Sequence, residues 1–402
     1  MHDTAELKSS KKNSNQISRY QNSLENVLQK AKEISQNSFG DAEKNDAVDM
    51  FPLETITKIK KHKLFAAPLP ERFGGVGIGL EHNTQIHLLR LHKYLGYGNL
   101  VIGRVFEGHY NALLLIKLFG TETQFEKYAS DVVNGSKIFG VWNTQANNGI
   151  EFKSIENGKF QIKGEKTFAT GIDFIERPVI TGAMPDGGWR MCIVPLEKVA
   201  AKVDDSWWNP LGMKSSRSYK IDLTGVEISE EDFIGKAGDY YSQPYFSGGS
   251  IRFAAVQLGG AETLFDKTRE YLVNLNRTED PYQKTRLGEM AIRMESGNLW
   301  LAGAAEKLEE YEQNPNERTS EKFLAYANMT RTAIEQICQD TMLFCERSVG
   351  ARGLNKPHHF ERIIRDLTIY LRQPAPDASL ADIGKYVLKS KVPADDLWKN
   401  ER

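Results

Sequence analysis

Cysteine is scarce in this chain: three residues in 402, Cys192, Cys338 and Cys345, with no CxxC pair among them. That excludes a disulfide framework and fits a reducing compartment, so a cytoplasmic location is expected. Long apolar runs are also missing. The longest, around "ALLLIKLFG", falls far short of the ~20 residues that a helix needs to cross a bilayer, so no membrane span is expected. Neither sign of charge is in excess. Lys plus Arg is 52, Asp plus Glu is 53 and the net charge is -1. This gives no global footprint for nucleic acid or an anionic membrane, although local basic clusters remain free to meet a phosphorylated ligand. Metal-ligand spacing is lacking too. His82, His87 and His92 recur every five residues, off the three- or four-residue step that places ligands on one helical face. No metal is expected. Residues 1–20 are polar and lysine-rich without the apolar core of a signal peptide, and read as a flexible tail.

What is present is an ordinary globular balance, 40% hydrophobic and 26% charged, over a length that can bury a sizeable core. Over residues 21–136 the apolar residues recur at helical steps, as with Leu24, Val27, Leu28 and Ala31. The glycine-rich "LPERFGGVGIGL" interrupts these helices; no strand precedes it and no Lys-Ser/Thr follows, so it reads as an interhelical turn. Over 137–240 the period drops to two, with Phe160 and Ile162, then Tyr219, Ile221 and Leu223, between turn residues. That predicts a small antiparallel β domain. Over 241–390 four long helical patterns return, predicting a helical bundle. No Pro/Ser-rich linker separates the three parts, which predicts one integrated α+β subunit.

Several stretches carry chemistry, and each also has a plain structural reading. In "FGVWNTQANNGIEF", Trp142, Asn143 and Thr144 set hydrogen-bonding groups on an apolar support that can hold a planar ring, or they form an edge loop around a core tryptophan. "GEKTFATG" repeats the idea with Phe168 and Thr170 on one side of a strand. Arg277, Arg286 and the glycines of "SVGARGL" suit a pyrophosphate, or a surface ion pair and a helix cap. Lys214 and Arg217 suit a coenzyme phosphate, or solvated hairpin charge. In "ERIIRDL", Glu361–Arg365 and Arg362–Asp366 have the i, i+4 spacing of a helical ladder.

These stretches, taken in order from Asp46 to Lys389, resemble the acyl-CoA dehydrogenase superfamily of flavoproteins. "LPERFGGVGIGL" is similar to its Pro-Glu-x-x-Gly-Gly-x-Gly segment. "LFGTETQFEKYASDVVNGSKIFGVWNTQ" is similar to the stretch leading into its flavin-side strand. "GEKTFATG", "WWNPLGMKSSRSYKIDLTGVEI", "SVGARGL" and "ERIIRDL" resemble its next strand, its hairpin, its closing glycines and its Arg-Asp pair. The resemblance implies an N-terminal helical domain, a central antiparallel β domain and a C-terminal four-helix bundle. It implies FAD, touched by Trp142, Asn143, Thr144, Phe168 and Thr170, with Arg277 at the pyrophosphate. It also implies a homodimer or homotetramer in which Gly350 and Gly353 approach the neighbour's FAD. Arg252 is the expected substrate-binding residue.

The departures fall on the catalytic base. The family's glutamate sits nine residues after the arginine of the Arg-Asp pair, which here is Pro374, or just before an arginine of the first bundle helix, which here is Ile251. Neither can accept a proton. Gln373 and Asp377 are the nearest candidate catalytic groups, with Glu361 and His359 further off. The resemblance therefore implies an FAD-dependent α,β-dehydrogenation of an acyl thioester, carried by coenzyme A or a carrier protein, with a relocated base. Two alternatives remain open: a monooxygenase fed reduced flavin by a partner reductase, or an inert flavoprotein scaffold.

Overall fold

The computed structural model describes residues 21, 23–199, 201–372 and 376–399. Among these residues six helices come first: α1 (23–36), α2 (Phe39–Ala47), α3 (Leu53–Lys61), α4 (Gln85–Gly98), α5 (Leu100–Phe119) and α6 (Glu122–Val133). Their starts follow local chemistry. The Asn99 side chain accepts from the Val101 amide at 2.9 Å to open α5, and Thr121 with Gln124 forms a capping box at α6. The glycine-rich segment between α3 and α4 is an interhelical turn, with Gly74, Gly77 and Gly79 at positive φ.

Ten strands follow. The larger sheet contains β1 (Phe139–Trp142), β2 (Glu151–Ser154), β3 (Lys159–Lys163), β5 (Arg177–Ala183), β6 (Trp189–Ile193), β9 (Glu227–Ser229) and β10 (Phe233–Ile234). The smaller sheet holds β4 (Glu165–Ala169), β7 (Lys202–Asp204) and β8 (Tyr219–Asp222), ordered β4-β8-β7. The pairing is antiparallel except at β5, where β1 and β2 run parallel to it. The alternating pattern alone could not reveal that exception, because a period of two is common to both pairings.

The bundle comprises the short α7 (Tyr245–Gly248), then α8 (Ser250–Asn274), α9 (Pro281–Gln313), α10 (Glu317–Gly353) and α11 (Phe360–Tyr370). Asp280 caps α9 and Pro281 takes the first helical turn, where a missing N–H costs nothing. The ladder of α11 is present: Arg365 meets Glu361 at 2.7 Å and Arg362 meets Asp366 at 3.2 Å. A further helix, α12 (Pro376–Lys389), stands where the sequence suggested a proline-rich turn; Pro376 begins it rather than ending one.

Two hydrophobic cores result. One joins α1 and α3–α6 to the sheets; the other fills the bundle and takes in Leu89, Leu100 and Val101 from the N-terminal helices and Met213 from the hairpin before β8. Helices α4 and α8 touch backbone to backbone. A Cβ at Gly96 would lie 2.2 Å from the Val256 carbonyl oxygen, and one at Gly259 would lie 2.1 Å from that of Lys93.

Candidate functional site

The end of β1 and the whole of β4 form one edge. Trp142 is buried and its Nε1 donates to the Thr170 carbonyl at 3.2 Å, tying the two segments together. Thr144 is exposed, and its carbonyl accepts from the Thr167 amide at 3.1 Å. The register of β4 against β8 slips between Lys166 and Ala169, and Phe168 there takes φ +53°. A non-glycine residue in that region is uncommon and marks a constrained site. The slip turns the Phe168 ring outward, 47% exposed, edge-on to Trp207 and Trp208 at 4.9 and 5.8 Å. Beside it the hydroxyls of Thr170, Ser218 and Ser216 form a chain at 2.9 and 2.7 Å. An exposed aromatic ring thus stands beside a row of bonded hydroxyls at this edge. The structure thus brings Trp142, Asn143, Thr144, Phe168 and Thr170 into one place.

Beneath this edge lies Lys166, wholly buried on β4. Its Nζ donates to the Asn143 carbonyl at 2.9 Å and to Thr181 Oγ1 at 3.1 Å, and Thr181 in turn donates to Asn143 Oδ1 at 2.5 Å. No carboxylate pairs with it among the described residues. Burial lowers its pKa from 10.5 to about 7. A neutral amine has two N–H groups, the number of bonds it makes here. Asn143 is therefore gripped by both its main chain and its side chain.

The helical side of the site is built differently. A Cβ on Gly108 would sit 3.8 Å from Gly140 Cα and 3.9 Å from the Arg104 guanidinium, so α5 meets β1 at Gly108, one turn after Arg104. Arg104 pairs with Glu107, Asn111 Nδ2 donates to Glu107 Oε1 at 2.6 Å, and Arg252 Nε donates to Asn111 Oδ1 at 2.7 Å. Arg252 is 6% exposed and lies 5.4 Å from the Tyr110 ring centroid. It lines a cavity of about 10 Å³, room for one water molecule, shared with Gln85, Tyr110, Tyr245 and Glu312. Glu312 accepts from Gln85 Nε2 at 2.8 Å, and burial raises its pKa from 4.5 to about 7.

The hairpin before β8 locks both sides to the bundle. The Met213 amide donates to Asp366 Oδ1 at 2.5 Å, and Arg365 bonds Asp46 and the Leu211 carbonyl at 2.7 and 3.1 Å. Arg217 Nη2 pairs with Asp173 at 2.6 Å, so its charge is already matched.

The remaining expected residues lie elsewhere. Gln373 and Pro374 fall outside the described residues. Ile251 is core, 1% exposed. Asp377 is exposed on the first turn of α12. Glu361 is engaged by Arg365, and His359 faces Glu43 at 3.6 Å. Arg277 is held by Asp280 at 3.3 Å, and no contact joins it to the β1–β4 edge among the described residues. Gly350 breaks α10 with φ +61° and ψ -173°, a conformation open to glycine, and nothing lies within 4 Å of where its Cβ would be. Gly353 instead packs on Val349. Sequence reasoning missed Arg104, Glu107, Asn111, Lys166, Glu312 and Tyr370. The first three left a signal, a polar stripe at i, i+3, i+7 on the otherwise apolar α5.

Models for the acyl-CoA dehydrogenase N-terminal and C-terminal domains match residues 22–136 and 251–372, together more than half of the chain. This chain belongs to the acyl-CoA dehydrogenase superfamily. It is 23% identical to an acyl-CoA dehydrogenase of Bacillus subtilis (strain 168), over 86% of this chain and 93% of that one. It is 22% identical to a dibenzothiophene monooxygenase of Mycolicibacterium goodii, over 82% and 86%. The FMN-bound TdsC of Paenibacillus sp. A11-2 has the same fold, with TM-score 0.83 at 16% identity, over 93% of this chain and all of that one. The superfamily member described here is thus an oxidoreductase-type flavoprotein, with relatives named for both dehydrogenation and oxygenation.

Proposed function

We propose that this superfamily member is a flavin-dependent monooxygenase that receives reduced flavin, FMN or FAD, from a separate reductase and uses dioxygen. One observation carries the reading. Among the described residues, no carboxylate at the β1–β4 edge is free to take a proton from a substrate. Ile251 is apolar core, Asp377 is outside on α12, and Glu107 is engaged on both oxygens by Arg104 and Asn111. The glycine contact between α4 and α8 also leaves no depth between those helices for a long acyl chain. Trp142, Asn143, Thr144, Phe168 and Thr170 would hold the flavin ring, whose reduced form supplies the electrons for oxygen activation. Lys166 and Thr181 fix the Asn143 segment, and the Phe168 ring is set edge-on to Trp207 beside it. Exposed Ile292, Leu299 and Leu343 on α9 and α10 support a homodimer or homotetramer built through the bundle.

A second reading, dehydrogenation of an acyl thioester carried by coenzyme A or a carrier protein, draws support from Glu312 alone. Its pKa of about 7 suits a general base. It lines the small cavity with Arg252, however, and its printed partner is Gln85, not a residue of the β1–β4 edge. Two measurements separate the readings. The protein with bound oxidised flavin is titrated anaerobically with a panel of acyl-CoAs, and oxygen uptake is then followed with a flavin reductase and NADH. No bleaching, with substrate-dependent oxygen uptake, is expected; anaerobic bleaching by any acyl-CoA overturns the monooxygenase reading.

A further inference from the structure

Of the nine non-glycine residues with positive φ among the described residues, six are Asp, Asn, Ser or Lys in connections between helices or strands. The other three come together at one place. Phe168 lies in the slip of β4 with φ +53°, and Met213 and Arg217, at +57° and +46°, flank the tight turn of the hairpin before β8. The two segments are joined. The Gly171 amide donates to the Ser216 carbonyl at 2.8 Å, and the hydroxyls of Thr170 and Ser218 meet at 2.9 Å. For a large side chain the left-handed region is strained, because Cβ crowds the following carbonyl oxygen. Asn and Asp offset this with local hydrogen bonds, which Phe168 and Met213 have no side-chain group to make.

The strain is held from outside. The Met213 amide donates to Asp366 at 2.5 Å, and Arg365 of α11 donates to the Leu211 carbonyl at 3.1 Å. Between them Gly212 lies so close to α11 that a Cβ there would sit 2.1 Å from the Arg365 carbonyl oxygen. On β4, Lys166 pairs with Ile221 and Ala169 with Tyr219, so three steps along β4 answer two along β8. That extra residue decides which face the following side chains take. An extended Phe168 would remove it and shift the residues after it, Thr170 included, to the opposite face.

We propose that Phe168 and Arg217 are positioning residues whose left-handed backbone, apart from what their side chains touch, keeps this edge preformed for a planar ring, with α11 supplying the bonds that sustain it. Strained backbone persists where the surrounding structure over-determines it, and it collects at binding sites. An edge already in shape spares its ligand the cost of ordering it. The inference rests on the flavin site of the reading above, but not on the reaction.

The test is binding of oxidised FMN and of FAD to the full chain, read by quenching of flavin fluorescence, with melting temperatures measured beside it. Arg217→Gly, Arg217→Ala and Arg217→Val all lose the ion pair with Asp173, but they differ in tolerance of the left-handed region, greatest for Gly and least for Val. Phe168→Gly and Phe168→Val repeat the comparison at an exposed position, which decides the matter should Arg217→Val fail to fold. At each position the Val variant is expected to bind flavin about 10-fold more weakly than the Gly variant, with Ala between them at 217. Asn157→Val, at φ +60° in the turn between β2 and β3, is the control: its melting temperature should fall while flavin affinity stays that of the wild type. Equal flavin affinity in the Gly and Val variants, with melting temperature alone following the series, overturns the proposal and leaves the flavin site standing. A loss of affinity in Asn157→Val as large as that in the edge variants also overturns it. A wild-type chain that binds neither flavin overturns the proposal and the reading above together.

Discussion

The two sides of the site treat buried cations in opposite ways. On the β side, Lys166 has no carboxylate and is driven toward the neutral amine, bonding the Asn143 carbonyl and Thr181. On the helical side, Arg104 and Arg252 cannot discharge, and the structure instead gives Arg104 the carboxylate of Glu107 and links Arg252 to it through Asn111. A neutral lysine is a scaffold part: it fixes a loop without adding a field. A charged arginine pair instead keeps its field and must be bonded from within the fold, here by Glu107 and Asn111. The chemistry of each side chain, ionisable or permanently charged, decides which role its burial creates.

The largest effect is expected from breaking the helical side. Glu107→Leu strips the counter-charge from Arg104 and is expected to cost about 3–5 kcal/mol in urea unfolding. Adding Arg104→Met to it should recover much of that loss. A single-mutant cost below about 1 kcal/mol would show that the pair is not held out of water.

Next comes the pH dependence of the β side. The folded pKa of Lys166, about 7, lies below its unfolded value of 10.5. Between those values the unfolded chain binds the extra proton, so stability rises with pH, by about 3 kcal/mol from pH 7 to 10. Lys166→Met should flatten that rise in melts taken across the range. A profile unchanged by the substitution would mean that the buried amine stays charged.

Glu312 carries the opposite sign. Its folded pKa, about 7, lies above the ordinary 4.5, so the folded chain holds the extra proton between them. Stability should therefore fall as pH rises from 4.5 to 7, by about 2–3 kcal/mol at most. Glu312→Gln should remove this slope and leave the alkaline rise of Lys166 intact. Loss of both slopes at once would mean that the two regions are not independent.

The smallest effect is expected from Asp377→Asn, outside both regions on the exposed start of α12. Unfolding free energy should stay within about 0.5 kcal/mol, and flavin affinity, read by fluorescence quenching, should not change. A loss of flavin reactivity in this variant would return Asp377 to the list of bases.

Much of this was legible in the sequence, for identifiable reasons. Helices α8 to α11 follow from three- and four-residue apolar steps, and β3, β4 and β8 from alternation. The Arg-Asp ladder of α11 is visible because its partners are four residues apart. The proximity of Trp142, Thr144, Phe168 and Thr170 was legible because they occur in two short, ordered stretches that read as neighbouring strands. The parallel pairing of β1 with β5 was not legible, since the partners lie nearly 40 residues apart and either direction gives the same pattern. Nor was α12, since a proline reads as a breaker until its place in the first turn is known.

The sequence by itself determined the order of elements and the residue types at Ile251 and Pro374, where the resemblance expects a carboxylate, because each is a matter of residue type at a fixed local spacing. Only the tertiary structure decided the burial of Lys166, its bonds to Asn143 and Thr181, the chain of contacts from Arg104 to Arg252 and the burial of Tyr370. Those properties depend on burial and on partners brought from distant helices and strands, and burial is set by packing, which local spacing does not encode.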